Sequence, residues 1–209
     1  VGQGADLVGN QACAACHPQI VASYARTPMA QSSGKAGALP VETYERNQFA
    51  DNRGAFAYNV TPDHRLAYRQ TRAAQPISGV RELAYFIGSG AAARTFLIED
   101  AGFLFESPAT FYRQSSSWKP SPGFESVDYP FLTRPVVASC LQCHASAIQS
   151  RVATLNGYAT PPFQETGVAC ERCHGAGSEH ISKGSAMSNP AKLDAGPRDS
   201  ICAQCHLSG

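Results

Sequence analysis

Eight cysteines fall in four Cys-x-x-Cys pairs, Cys13/Cys16, Cys140/Cys143, Cys170/Cys173 and Cys202/Cys205, and none is left over. A histidine follows each pair at once: His17, His144, His174 and His206. Thiols at this spacing reach the two vinyl groups on one edge of a haem from a single turn of helix. The next residue then presents its imidazole under the iron as the proximal ligand, which makes Cys-x-x-Cys-His a haem-attachment signature. Structural zinc uses the same cysteine pairs, and disulfides use cysteines in even numbers, but neither needs a histidine after every pair. Histidine is 6 of 209 residues, so four such coincidences arise by chance roughly once in a million. The spacing predicts four covalently bound haem c groups.

Each iron needs a second axial ligand to be six-coordinate, and the motifs supply one each. His180, Met29, His64 and Met187 are the candidates, in that order, and Lys183, Lys192 and the Val1 amine are further options. With two spare histidines, at most two haems are bis-histidine, and thioether ligation would raise a potential. The four centres are therefore inequivalent, and one left without a sixth ligand would be high-spin and open to small molecules. His180 follows His174 by six residues through a glycine-rich turn. That is too close for the far face of the same haem, so His180 reads as a ligand to a neighbouring one; a surface or propionate-bonding histidine is the alternative. Met29 is a ligand or a gap-filling core residue. His64 follows Asp63 in a turn and is a ligand or a solvated loop residue. Gly88-Ser89-Gly90 ahead of Arg94 lacks the Gly-Lys-Ser/Thr ending of a phosphate loop. It reads as a tight turn that orders Arg94, whose planar guanidinium suits a haem propionate; a surface arginine is the alternative.

Helices should carry these motifs. Residues 11–26 and 135–150 read as helices, with short ones around Cys170 and Cys202. Between the first and second motifs lies a haem-free stretch of about 120 residues. Its segments 55–60 and 65–71 read as strands around Pro62-Asp63, and 94–99 and 103–106 as a hairpin across Asp100-Ala101-Gly102. Trp118 and the other aromatics read as packing. The expected fold is a mainly α and irregular haem-packed core with a small β-rich insertion, residues 41–134, inside a single tetrahaem unit spanning 1–209. Haem faces would supply much of the core, so the apo-protein should fold poorly.

A net charge of +1 argues against a basic nucleic-acid surface and against an acidic tail. No apolar run reaches the roughly 18 residues of a membrane helix. The chain begins at Val1, read as a processed mature form. Thioether formation takes place outside the cytoplasmic membrane, so a periplasmic or extracellular location follows. The last motif ends three residues before the end of the sequence, which fits a compact module or the front of a longer chain.

Several segments carry a family resemblance: Cys13-Ala-Ala-Cys16-His17-Pro18, Thr27-Pro28-Met29-Ala30, Phe86-Ile87-Gly88-Ser89-Gly90, Ser121-Pro122-Gly123-Phe124, and Cys170-Glu-Arg-Cys173-His174-Gly175-x-Gly177-x-x-His180. On these the chain resembles the tetrahaem cytochrome c-554 type of multihaem c-type cytochromes, and the haem modules at the front of longer secreted bacterial proteins. The resemblance implies an extracytoplasmic electron carrier with closely stacked haems and His180 as a distal ligand across to another haem. Expected partners are redox proteins, with self-association into a homo-oligomer or conducting filament as an option. The alternatives are a haem enzyme reducing a small nitrogen oxide or peroxide at an open iron, and a haem-containing sensor or interaction module.

Overall fold

The computed structural model describes residues 7–38, 47–124 and 129–206. Eleven strands are present among them: β1 (Ser33–Lys35), β2 (Gln48–Ala50), β3 (Phe56–Thr61), β4 (Arg65–Gln70), β5 (Ser78–Glu82), β6 (Tyr85–Ile87), β7 (Ala93–Asp100), β8 (Phe103–Tyr112), β9 (Ser117–Pro120), β10 (Ser146–Ser150) and β11 (Tyr158–Glu165). They form three antiparallel sheets: a five-stranded one in the order β1-β6-β7-β8-β9, a four-stranded β2-β3-β4-β5, and the two-stranded β10-β11. The mainly α and irregular fold expected from the motifs is overturned. Strand structure starts before residue 41 with β1 and resumes between the second and third motifs with β10 and β11.

The five-stranded sheet is the middle layer, and the alternation along β7 shows why. Phe96 and Ile98 point to one side, where they pack with Phe111 and Trp118 against Phe56, Tyr58, Val60 and Leu66 of the four-stranded sheet. Leu97, between them, points to the other side and packs with Tyr85, Leu104, Val136, Leu141, Tyr158 and Phe163. Burial of each such side chain contributes about 1.5–3 kcal/mol. The expected hairpins form close to their read positions. Ala101 and Gly102 both have positive φ, 50° and 82°, the left-handed turn that matches strand twist across β7 and β8.

The helices are short: α1 (Asn10–Cys16), α2 (Pro18–Tyr24), α3 (Ala138–His144), α4 (Glu171–His174), α5 (Ser178–Lys183) and α6 (Ala195–His206), with 3-10 turns at Ala36–Ala38 and Pro190–Lys192. The single helix expected over 11–26 is two. Pro18 disfavours helical backbone at the residue before it, and His17 sits at φ −121°, ψ 48°. The helix expected over 135–150 stops at His144, because the next residues pair with β11 in the register Ser146↔Glu165 and Ile148↔Phe163. Tertiary pairing there outweighs a weak local preference. No helix among the described residues is long and apolar enough to cross a membrane.

Candidate haem-binding site

All four motifs end a helix. Cys13 and Cys16 lie on α1 with His17 capping it, and α3, α4 and α6 close on His144, His174 and His206. One helical turn is all that two thioethers and a proximal ligand need, so the short helices suit the task. No disulfide joins any of the eight cysteines. Among the described residues no group of three or more His, Cys, Asp or Glu is placed to hold a metal ion, as a structural zinc would require.

The motifs converge, and the thiols report how. Burial pushes the Cys170 thiol up, with Cys13 of the first motif beside it adding to the rise. Burial likewise raises Cys173, with Cys202 of the fourth motif next to it. It raises Cys205 too, with Cys143 of the second motif adding and Arg172 opposing. Arg172 Nη2 also donates to the Gln142 carbonyl of the second motif at 3.2 Å. The third motif is therefore the hub, touching the other three. Glu171 and Arg172, its two intervening residues, escaped sequence reasoning, because nothing local marks a Cys-x-x-Cys spacer as a long-range contact. The Glu171 carboxylate is buried and accepts N–H groups of Val8 (3.0 and 3.1 Å), Gly9 (2.9 Å) and Gly177 (2.8 Å).

Several features fit haem. From residue 178 to 206 no residue is buried, although this stretch folds into α5, a 3-10 turn and α6. Helices of 6 and 12 residues are marginal without a packed face, and covalently held macrocycles provide one. Ile20 and Ile181, exposed at 68% and 57%, lie close in sequence to His17 and His180. A cavity of about 660 Å³ is lined by Tyr24, Phe86 and Phe163, with Lys35 and Arg94 on its wall. A second, of about 630 Å³, reaches Gln142, Arg172 and Gln204 of the second, third and fourth motifs.

The rings of His17 and His180 are nearly parallel, 15° apart, with centres separated by 6.3 Å. An imidazole nitrogen binds a transition metal at about 2.0–2.1 Å and lies roughly 1.1 Å from its ring centre, so two imidazoles trans across one metal have centres roughly 6.3 Å apart. His180 Nδ1 donates to the Ser185 carbonyl at 2.7 Å, and His174 Nδ1 to that of Ser188 at 2.7 Å. A carbonyl only accepts, so both rings present an N–H at Nδ1, which leaves Nε2 as the nitrogen that could face a metal. His144 is half-buried, its Nδ1 atom is enclosed without a partner, and burial pushes its pKa down.

Other sequence candidates are placed as follows. Met29 is 48% exposed, in a loop that bridges two motifs. Its carbonyl accepts from Val168 at 3.0 Å, and Ser32 Oγ donates to the His144 carbonyl at 2.8 Å. Met187 precedes Ser188, the partner of His174. His64 lies in the β3–β4 turn at φ 58°, with its backbone bonded to Thr61 of β3 and to Leu83 just past β5. Arg94 is buried at 7%, bonds the Ser89 carbonyl at 2.7 Å, and lies over the Phe86 ring. The turn ahead of it needs glycine: Gly88 has φ 91°, and a Cβ there would meet the Ala93 carbonyl at 2.7 Å. Val1 lies outside the described residues, as do 39–46 and 125–128 of the haem-free stretch.

The family model for cytochrome c554 and c-prime matches residues 114–175, which include the second and third motifs. The crystal structure of outer cell wall cytochrome OcwA is similar in fold, with a TM-score of 0.60 and 17% identity over 96% of this chain and 37% of that one. The chain thus spans well under half the length of that cytochrome. No curated protein matches it. The family likeness covers the segment that holds two of the attachment motifs, and the structural likeness is one of fold.

Proposed function

We propose that the chain is an extracytoplasmic tetrahaem cytochrome, a single unit that relays electrons between redox proteins through four attached haems. The observation that carries this reading is the convergence of the other three attachment motifs on the third, through Cys13 beside Cys170, Cys202 beside Cys173, and Arg172, which bonds the Gln142 carbonyl at 3.2 Å. Haem iron, cycling between ferric and ferrous, supplies the one-electron chemistry. The chain's part is to hold the attachment points side by side, to fix the imidazoles, and to keep water off their faces. The thiol neighbours order the centres as first, third, fourth, second. His17 and His180 serve the first iron, which their ring separation supports. Met29 sits beside the third motif and is the sixth-ligand candidate there. Lys35 and Arg94 on the larger cavity suit propionates. Likeness to a cell-wall cytochrome supports the extracytoplasmic location.

A pyridine haemochrome assay on the holoprotein should return four c-type haems per chain. In the oxidised protein, His180→Ala should turn one of the four from low-spin to high-spin in electron paramagnetic resonance. Fewer than four haems, or an unchanged spectrum for His180→Ala, would overturn the assignment. A native high-spin signal that responds to nitric oxide would move the reading to a haem enzyme.

A further inference from the structure

We infer that the Glu171 carboxylate is the positioning group that holds the His17/His180 pair in register, by capping from outside both helices that carry it. The inference rests on the reading that these histidines share an iron.

α1 and α5 are 7 and 6 residues long, and neither has a side-chain cap of its own. The first N–H groups of a helix have no intrahelical partner and need an acceptor. Gly9 is the N-cap residue of α1 and Gly177 that of α5. Glu171 reaches both: Oε2 accepts from Gly9 at 2.9 Å and Oε1 from Gly177 at 2.8 Å, with Val8 N–H shared between the two oxygens. One buried negative charge thus faces the positive ends of two helices at once. Glu165 assists at α1 by accepting the Asn10 N–H at 3.2 Å. Among the described residues, Glu171 is the carboxylate that bonds both. α1 ends on His17, and α5 carries His180 in its first turn. Their separation is therefore set through a side chain that belongs to the third motif, between Cys170 and Cys173. Gly177 is packed against this joint so closely that a Cβ would lie 2.8 Å from Val8 Cγ2 and 3.3 Å from Glu171 Oε1.

Glu171→Gln keeps the volume but replaces one acceptor oxygen with a donor, so it cannot serve both helices. The oxidised Glu171→Gln holoprotein should show one haem in four turned high-spin, and added imidazole should return it to low-spin by refilling the vacated position. Gly177→Ala should give the same signature from the opposite side of the joint. It leaves the third motif untouched, so it carries the test if Glu171→Gln impairs haem attachment. Glu171→Asp, one methylene shorter but still a carboxylate, should lie between the two. The double variant Glu171→Gln/His180→Ala should add no high-spin signal beyond His180→Ala alone. Full low-spin spectra for both Glu171→Gln and Gly177→Ala, or a high-spin fraction beyond one haem in four, would overturn the inference. If His180→Ala alone stays low-spin, the ligand assignment fails instead.

Discussion

Tyr24 and Tyr158 pin the backbone ahead of two motifs. Tyr24 Oη donates to the Val168 carbonyl at 2.6 Å, just before Cys170, and Tyr158 Oη to that of Val136 at 2.8 Å, just before α3. Burial pushes each phenol up to about 12, with nearby cysteine thiols adding to the rise. Thioether formation removes the thiol charges and leaves the burial contribution. A phenol whose folded pKa is raised contributes stability that is fully present below its unfolded value of about 10 and is lost as pH climbs toward 12. Tyr24→Phe should cost about 1 kcal/mol at neutral pH and should flatten the decline above pH 10, as read from denaturant midpoints across that range. A decline as steep as in the parent would refute the assignment. At this scale the sequence reveals what chemistry places contiguously. Cys-x-x-Cys-His is visible because one haem edge dictates its spacing. Glu171 and Tyr24 are not, because Val8 and Val168, which they bond, lie 163 and 144 positions away and leave no trace in local pattern.

α3 shows how an element ties a haem motif to the sheets. Leu141, the residue after Cys140, is fully buried against the Leu97, Leu104 and Tyr158 side of the middle layer. It is the one residue of α3 that is buried. Leu141→Ala should destabilise the fold by about 2–5 kcal/mol, measured by thermal unfolding, whereas Val152→Ala, on a residue 95% exposed, should be neutral. Equal effects would show that α3 is held by its haem alone. Strands β3, β4, β7 and β8 were legible because alternation and turn residues coincide. β10 was not: Ser-Ala-Ile-Gln-Ser offers one large apolar residue and becomes a strand by pairing with β11. The break at His17 was legible in principle, through Pro18.

The whole molecule divides its stability unequally. The sheets bury two aromatic-rich clusters with their own side chains, while α1, α2, α5 and α6 bury no residue at all. Expecting the apo-protein to fold poorly therefore needs restricting to the helical layer. Chain produced without haem attachment should keep its strand signature in circular dichroism and lose most of its helical one. Loss of both together would show that the sheets depend on the haems. The fold class is hidden in the sequence for a related reason. Motifs advertise helices at four points, whereas the strands between them are spread over a stretch that carries no chemistry.

The hydrogen bonds from Val8 and Gly9 to Glu171 close loops of 163 and 162 positions. Assembly in time then runs against order in sequence. The carboxylate that caps the helix of the Cys13–His17 motif, and the cysteine that neighbours Cys13, are synthesised some 150 residues after it. Until then the segment around the first motif lacks the partner that caps its helix, and long-range closure of this kind slows folding. A chain interrupted before residue 171 would carry a first haem that nothing finishes enclosing.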